Sequence, residues 1–218
     1  MSSLTLPQIS RDKLPDLFME DPNTPRVLIG QSVSSLRQEI KEGGGSDFID
    51  ISSDQDSLAI AGSSLADKSA VISMTPTQLY AAMVIFKEEG SRNPKFSEVP
   101  DSTGLSFSQA AQIAGNLRLL ESASQGVVLI DMSGDPNIHH VNQVLAVAVD
   151  KNEDFSLPQN LSYNFVFPGN ESEAIPKVSA ALRSRCQVFG ISDAPRARLN
   201  SDAFTTPSNP SSGSVPAP

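Results

Sequence analysis

Two helix-start signals in the middle of the chain constrain its fold more than any other feature of the sequence. Thr75 to Gln78 reads Thr-Pro-Thr-Gln, a capping box in which the threonine hydroxyl and the glutamine amide bind backbone groups at the start of a helix. The proline stands at the first helical position, where its missing N–H costs nothing. Ser106 to Gln109 forms a second box. The sequence therefore predicts two well-defined helices after these boxes, and the first is expected to end near Glu89.

Short apolar runs on either side of these helices predict a small number of strands. Val127 to Ile130 follows a glycine and precedes a turn, a pattern that favours a buried strand. Further strands are expected at residues 48–51, 70–72, 144–149 and 163–167, a short helix from a third box at Ser35 to about Lys41, and a last helix from Pro176 to Val188. The fold class predicted from these elements is α+β and helix-rich, with one capped-helix core and a few short strands.

The two ends of the chain differ in composition from its centre. Residues 1–30 hold four prolines and no sustained apolar period, which predicts an extended N-terminal arm with at most one helical turn around Leu14–Met19. The last residues are rich in Ser and Pro, with almost nothing to bury, which predicts a disordered tail. We therefore expect an arm at residues 1–30, a single globular domain at 31–191 and a tail at 192–218.

Charge and cysteine content bear on the compartment and the partners. The formal net charge is −9, from 16 Lys+Arg against 25 Asp+Glu, which argues against a globally basic nucleic-acid binder. The single cysteine, Cys186, excludes an internal disulfide and a thiolate zinc cluster, and we expect it to be a packed, inert thiol. The sequence contains neither a membrane-length apolar run nor a secretory signal, so we expect a cytoplasmic protein with no membrane partner.

The candidate catalytic and metal-binding side chains do not form a recognisable set. His139 and His140 are adjacent and are expected in a solvated loop, so neither is assigned as a base for a nucleophile. The segment from Asp131 to Asn142 has oxygens at alternate positions, as a calcium loop has. However, Pro136 stands where that loop needs glycine, and Asn142 stands where it needs a bidentate carboxylate. We predict a tight turn there and no metal.

The phosphate-binding loop sequences are also missing from the chain. Neither GxxxxGK[ST] nor GxGxxG occurs. Gly43 to Gly45 follow a predicted helix and precede an acidic segment, which is the reverse of the order and charge that a phosphate requires. We therefore predict no cofactor and no catalytic residue, and Asp131 is the best single candidate if the chain is an enzyme.

Five basic side chains near the C-terminal end are the one positive feature of the sequence. They are Lys177, Arg183, Arg185, Arg196 and Arg198, called the basic set below. They could contact phosphates of single-stranded RNA and add salt-dependent affinity. They could equally offset nearby carboxylates and the end of a helix.

Elimination leaves three functional hypotheses. The first is a non-enzymatic assembly subunit, most concretely a viral coat or nucleocapsid-type protein that self-associates, packages RNA through the basic set, and would then be found in the virion. The second is a cytosolic protein-interaction adaptor that uses the acidic segment 47–67 or the C-terminal tail. Residues 48–51 could pair with a partner's sheet edge, although an internal edge strand is the simpler interpretation. The third is an enzyme with an unrecognised carboxylate site.

Overall fold

The fold is a parallel sheet with helices on both of its faces. The computed structural model describes residues 6–20, 24–44, 48–51, 65–92, 96, 98–134, 136–150 and 157–192. The strands are β1 (Gln8–Ser10), β2 (Arg26–Ile29), β3 (Phe48–Asp50), β4 (Ser69–Met74), β5 (Gln125–Asp131), β6 (Leu161–Phe167) and β7 (Gln187–Ser192). They form one seven-stranded sheet in the order β1-β7-β2-β6-β5-β4-β3, and the pairings are all parallel.

Helices follow most of the strands and return the chain to the start of the next one. They are α1 (Leu14–Glu20), α2 (Val33–Gly44), α3 (Pro76–Glu89), α4 (Glu98–Thr103), α5 (Phe107–Glu121), α6 (Ile138–Ala148), α7 (Glu171–Ala174) and α8 (Ala180–Arg185). Short 3-10 turns lie at Arg11–Lys13, Leu65–Asp67 and Ile175–Lys177. None of the helices in this described part of the chain has the length and apolarity needed to cross a bilayer.

The sheet separates two apolar cores, one on each face. Alternate residues of β5 point to opposite faces, so Val127 and Leu129 join one core while Val128 and Ile130 join the other. The first core also contains side chains of α1 and α2, and the second contains side chains of α3, α4, α5, α6 and α8. A right-handed crossover places its helix on one face when the chain moves one way along the sheet and on the opposite face when it moves the other way. The connections through α1 and α2 run one way, and those through the later helices run the other way.

The mixture of helices and strands predicted from the sequence is confirmed, but the predicted α+β arrangement with a few short strands is wrong, because the seven strands form one parallel sheet with helices between them, as in an α/β fold. Both central capping boxes are confirmed as well. The Thr75 hydroxyl accepts from the Gln78 N–H at 3.2 Å, and the Ser106 hydroxyl accepts from the Gln109 N–H at 3.3 Å. The strands form a single parallel sheet rather than a few separate pieces, because helices connect them on both faces.

The extended arm predicted for residues 1–30 is wrong over the described residues 8–20 and 26–29, although a helix does lie where one helical turn was expected, around Leu14–Met19. Together these two stretches form β1, a 3-10 turn, α1 and β2, and β2 lies inside the sheet between β7 and β6. Three of the four prolines that suggested an arm stand where proline is tolerated: Pro7 and Pro25 precede strands, and Pro15 lies in the first turn of α1. Pro22 lies outside the described residues. All four residues of β2 are buried, as expected for a strand covered on both faces.

Two other predicted elements have the wrong type. Residues 144–149 are not a strand. The buried side chains of α6 recur at helical spacing, and they include Val141, Val144, Leu145 and Val147. The helix predicted from Pro176 to Val188 is a 3-10 turn, the short helix α8 and the strand β7. Residues 193–218 of the predicted tail, and most of the acidic segment 47–67, lie outside the described residues.

Candidate functional site: a polar crevice at the carboxyl edge of the sheet

The connections that follow two neighbouring strands, β2 and β6, run to opposite faces of the sheet. These strands are neighbours in the sheet, yet the connection after β2 leads to α2 on one face, and the connection after β6 leads to α7 on the other. Such a reversal separates the two connections and opens a crevice beyond the carboxyl ends of the strands. In doubly wound sheets this crevice is the usual position of a ligand site.

A cavity of about 340 Å³ lies at this edge, on the face that carries α2. Its lining is mostly polar and comes from the loop before α2, from α2 itself and from the ends of three strands. The lining residues are Ser32, Val33, Ser34, Arg37, Ser73, Asp131, Ser133 and Pro168. This cavity is called the polar crevice below.

Gly30 turns the chain from β2 into the polar crevice. Its φ is +117°, and a Cβ at this position would lie 2.9 Å from the carbonyl oxygen of Ile191. Both facts favour glycine, because a side chain would strain the backbone and collide with the neighbouring strand. The N–H of Gly30 donates to the carbonyl of Phe167 at 3.1 Å, which keeps the turn close to β6.

Helix α2 begins at the crevice, three residues earlier than its predicted capping box. The Ser32 hydroxyl accepts from the N–H of Ser35 at 3.2 Å, and the Ser32 carbonyl accepts from the N–H of Leu36 at 3.0 Å. Ser32 is therefore the N-cap, and the box predicted at Ser35 is wrong, since the Ser35 hydroxyl instead donates to Glu39. This start places the positive end of the α2 dipole at the crevice.

Asp131 supplies the carboxylate of the crevice from the end of β5. Its Oδ1 accepts from the N–H of Ser133 at 2.8 Å, a local contact that bends the chain at the end of β5. Asp135, within the turn predicted after this strand, lies outside the described residues. Among the described lining residues Asp131 is the one acid, so no acid pair for general acid–base catalysis is formed there.

Arg37 is also part of the lining, but its charge is already balanced. It donates to the Asp50 carboxylate at 2.6–3.1 Å and to the Ser73 hydroxyl at 3.0 Å. The ion pair between α2 and β3 therefore fixes the wall of the crevice. The other polar groups of the lining are Asp131, Ser32, Ser34 and Ser133, together with the start of α2.

A second cavity, of about 460 Å³, opens on the other face at the same edge of the sheet. It is called the apolar cavity, and its lining residues are Met132, Gly134, Pro136, Ile138, Val141, Phe167, Lys177, Ser179 and Leu182. Lys177 is the one charged side chain among these described residues, and Asp135, between Gly134 and Pro136, lies outside them. Ile138 is 63% exposed, which is unusual for a large aliphatic side chain beside a cavity.

The histidines lie on α6, outside the lining of the polar crevice. His140 was predicted in a solvated loop, but it is buried. Its Nδ1 lies 2.9 Å from the Thr77 hydroxyl and its Nε2 3.1 Å from the Ser102 carbonyl, while its ring stacks on Tyr80. Burial lowers the pKa of His140, the hydrogen bond to the Ser102 carbonyl opposes part of this effect, and the neighbouring His139 lowers the pKa further. His140 thus joins three helices as a neutral ring, whereas His139 is exposed.

Cys186 is a packed thiol at the junction of α8 and β7. Burial raises its pKa to about 12, and the nearby Asp150 carboxylate acts in the same direction. A thiol with such a pKa is protonated at neutral pH and is a poor nucleophile.

The basic set is not gathered on one helix. Lys177 ends a 3-10 turn beside the apolar cavity, Arg183 lines a separate cavity of about 260 Å³, and Arg185 forms an ion pair with Asp150 at 2.9 Å. Arg196 and Arg198 lie outside the described residues. The three described members are exposed, but they do not share the single helix predicted from Pro176 to Val188.

Sequence reasoning found Asp131 but missed the turn and the helix start that build the other wall of the polar crevice. Gly30, Ser32 and Ser34 follow the apolar run Val27 to Ile29, and a strand, a glycine and a serine-rich helix start together signal a site at a sheet edge. Because residues 1–30 were predicted to be an extended arm, a strand at Val27 to Ile29 was not expected, and the site that follows it was missed.

No group of three or more potential metal-binding side chains occurs within the described ranges. The comparisons with known proteins add no assignment, since no protein-family model and no curated protein matches the chain.

Proposed function

We propose that the chain is a non-enzymatic subunit that binds a small phosphate-bearing molecule, with a nucleotide as the representative, in the polar crevice. The observation that supports this proposal is the connection from β2 through Gly30 to the start of α2, which lines the same cavity as Asp131. Helix starts and serine hydroxyls provide donors for phosphate oxygens. The function is inferred from the site, since the fold alone is compatible with many functions.

Asp131 sets a condition on how such a ligand binds. A carboxylate repels a phosphate nearby, so a divalent cation has to lie between them. In nucleotide-binding proteins with a strand–loop–helix connection, a hydroxyl at the helix start and an aspartate at a strand end hold the magnesium ion. The donors here are oxygens of one carboxylate and several serines, the ligand type that magnesium prefers.

Among the residues that the structure describes, the lining of the crevice lacks the lysine and the second acid or histidine that phosphoryl transfer uses. Residues 30–34 read Gly-Gln-Ser-Val-Ser and contain no lysine to reach the phosphates. The described lining also lacks a second acid or a histidine that would orient a water molecule. We therefore propose binding without turnover, as in a subunit whose ligand stabilises one conformation or one contact.

Calorimetric titration with magnesium ADP and magnesium ATP, with and without EDTA, tests this function. Ser34→Glu places a charge at the crevice and should weaken binding at least about tenfold, which is 1.4 kcal/mol. Ser108→Glu is the matched control, because both serines are exposed and both are the second residue of a helix, where glutamate is tolerated.

Two results would count against the proposal. If neither magnesium ADP nor magnesium ATP produced heat on titration, the proposal of a phosphate-bearing ligand would be contradicted. Release of phosphate above the protein-free rate, abolished by Asp131→Asn, would contradict the non-enzymatic role.

An assembly subunit of the coat or nucleocapsid type is the second candidate. The observation that favours it is the exposure of two large apolar side chains, Phe107 at 45% and Ile138 at 63%, which another protein surface would cover. RNA packaging through the basic set is part of this proposal. Light scattering on the purified chain tests it: large particles support assembly, and a monomer at all concentrations contradicts it.

A further inference from the structure

The apolar cavity and the point where β7 ends lie close together. Gly190 and Phe167 are both registered with Ile29 of β2, so they stand at the same level of the sheet. Two strand spacings separate them, which is roughly 10 Å. The chain leaves β7 at Ser192, two residues further towards the edge where the cavity opens.

The sequence after Ser192 contains one segment whose chemistry matches the cavity. Phe204 is the single aromatic residue after Ser192, and Asp202 precedes it by two positions. In an extended chain, residues two apart point to the same side, so the ring and the carboxylate face a surface together. Phe204 is the twelfth residue after Ser192, and a stretch of that length spans up to roughly 40 Å.

The cavity offers complementary groups. Met132, Phe167 and Leu182 form apolar walls, and the volume of about 460 Å³ lies within the range of sites that enclose small ligands. Lys177 supplies an exposed cation at the same cavity. A ring placed there would also cover Ile138.

We propose that the segment Asp202–Phe204 of this chain docks in its own apolar cavity. The Phe204 ring lies against Met132 and Phe167, and the Asp202 carboxylate lies beside Lys177. The short span favours docking within one molecule over docking between copies, because a tethered segment has an effective concentration in the millimolar range, ~1 mM or more.

Methyl NMR on the full chain, labelled at the methionine methyl groups, tests the docking. The Met132 methyl resonance should move downfield in Phe204→Ala, because the shielding by the ring above it is removed. Val215→Ala is the matched control, since it truncates another apolar side chain after Ser192 and should leave the resonance in place. A synthetic peptide of residues 193–218, added to Phe204→Ala, should restore the original shift.

Charge pairing provides a second readout on the same resonance. Asp202→Asn and Lys177→Gln should each move the Met132 methyl part of the way, and the double variant should move it no further than either single change. An identical Met132 shift in wild type and Phe204→Ala would overturn the proposal. A wild-type shift that disappears on tenfold dilution would also overturn it, because the occupant would then be a second copy.

Discussion

At the scale of single residues, Arg26 connects the beginning of the chain to the centre of the sheet. The side chain is 1% exposed, and its guanidinium donates to the Leu17 carbonyl at 3.1 Å and to the Ser162 hydroxyl at 3.2 Å. The Gln125 amide donates to the carbonyl of Phe18 beside it. These two polar side chains satisfy carbonyls in the last turns of α1, where a helix has no partners of its own.

Arg26→Ala should therefore lower the free energy of unfolding by roughly 2–4 kcal/mol, because it removes hydrogen bonds from a charged donor and leaves buried carbonyls unpaired. Urea denaturation measures the change. Arg118→Ala is the control: Arg118 pairs with Glu89 on the surface, and its removal should cost less than about 1 kcal/mol. Equal effects of the two substitutions would mean that the beginning of the chain is not packed as described.

His140 makes stability depend on pH in a defined direction. Because its pKa is lowered in the folded protein, the folded state favours the neutral ring more than the unfolded state does. Its contribution is complete above the unfolded pKa of about 6.5 and is lost as the pH falls below that value towards the folded pKa.

Denaturation curves between pH 7.5 and pH 5, an interval that brackets the unfolded histidine pKa of about 6.5, measure this dependence. His140→Gln should flatten the decline in the free energy of unfolding, and His139→Gln should change it less, since the effect of exposed His139 on the pKa of His140 is smaller than that of burial. A decline of the same slope in wild type and His140→Gln would show that other groups produce it.

At the scale of elements, sequence reasoning succeeded where the signal is local and failed where burial decides. The boxes at Thr75 and Ser106 act within four residues, so they identified α3 and α5 correctly. The valines of residues 144–149 favour a strand by propensity, but their burial at helical spacing places them in α6. The polar crevice brings together α2, β4, β5 and β6, and no local pattern specifies which strands become neighbours.

The start of α2 gives a prediction at this scale. Ser32→Ala should cost about 1 kcal/mol of stability, since the Ser35 N–H loses its acceptor, while Ser35→Ala should cost a few tenths, about 0.3 kcal/mol. Chemical denaturation of both variants compares them directly. The opposite ranking would return the helix start to the box at Ser35.

At the scale of the whole molecule, the polar and apolar cavities lie on opposite faces of one sheet edge. The chain segment from Asp131 through Met132 contributes to both, with Asp131 in the polar crevice and Met132 in the apolar cavity. Adjacent residues of a strand point to opposite faces, which explains this division. A ligand in one cavity and a segment in the other therefore contact neighbouring residues of the same backbone.

RNA packaging makes a prediction for the molecule as a whole. Changing Arg183, Arg185, Arg196 and Arg198 together to Gln should make the slope of log affinity against log salt shallower by about 0.7 for each phosphate of the single strand that the variant no longer binds. Filter binding of single-stranded RNA at several salt concentrations measures the slope, and circular dichroism checks the fold. Wild-type affinity and slope in the quadruple variant would contradict a role for the basic set.

The most direct test of the proposed ligand site is a map of amide chemical shifts on titration with magnesium ADP. We predict that the largest changes fall at Gly30, Ser34 and Ser133, around the polar crevice, and that they are absent in Ser34→Glu but present in Ser108→Glu. Changes centred on Ile138 and Leu182, at the apolar cavity, would contradict the proposed site. An unchanged spectrum at roughly 1 mM nucleotide would also contradict it, because even a weak site binds at that concentration.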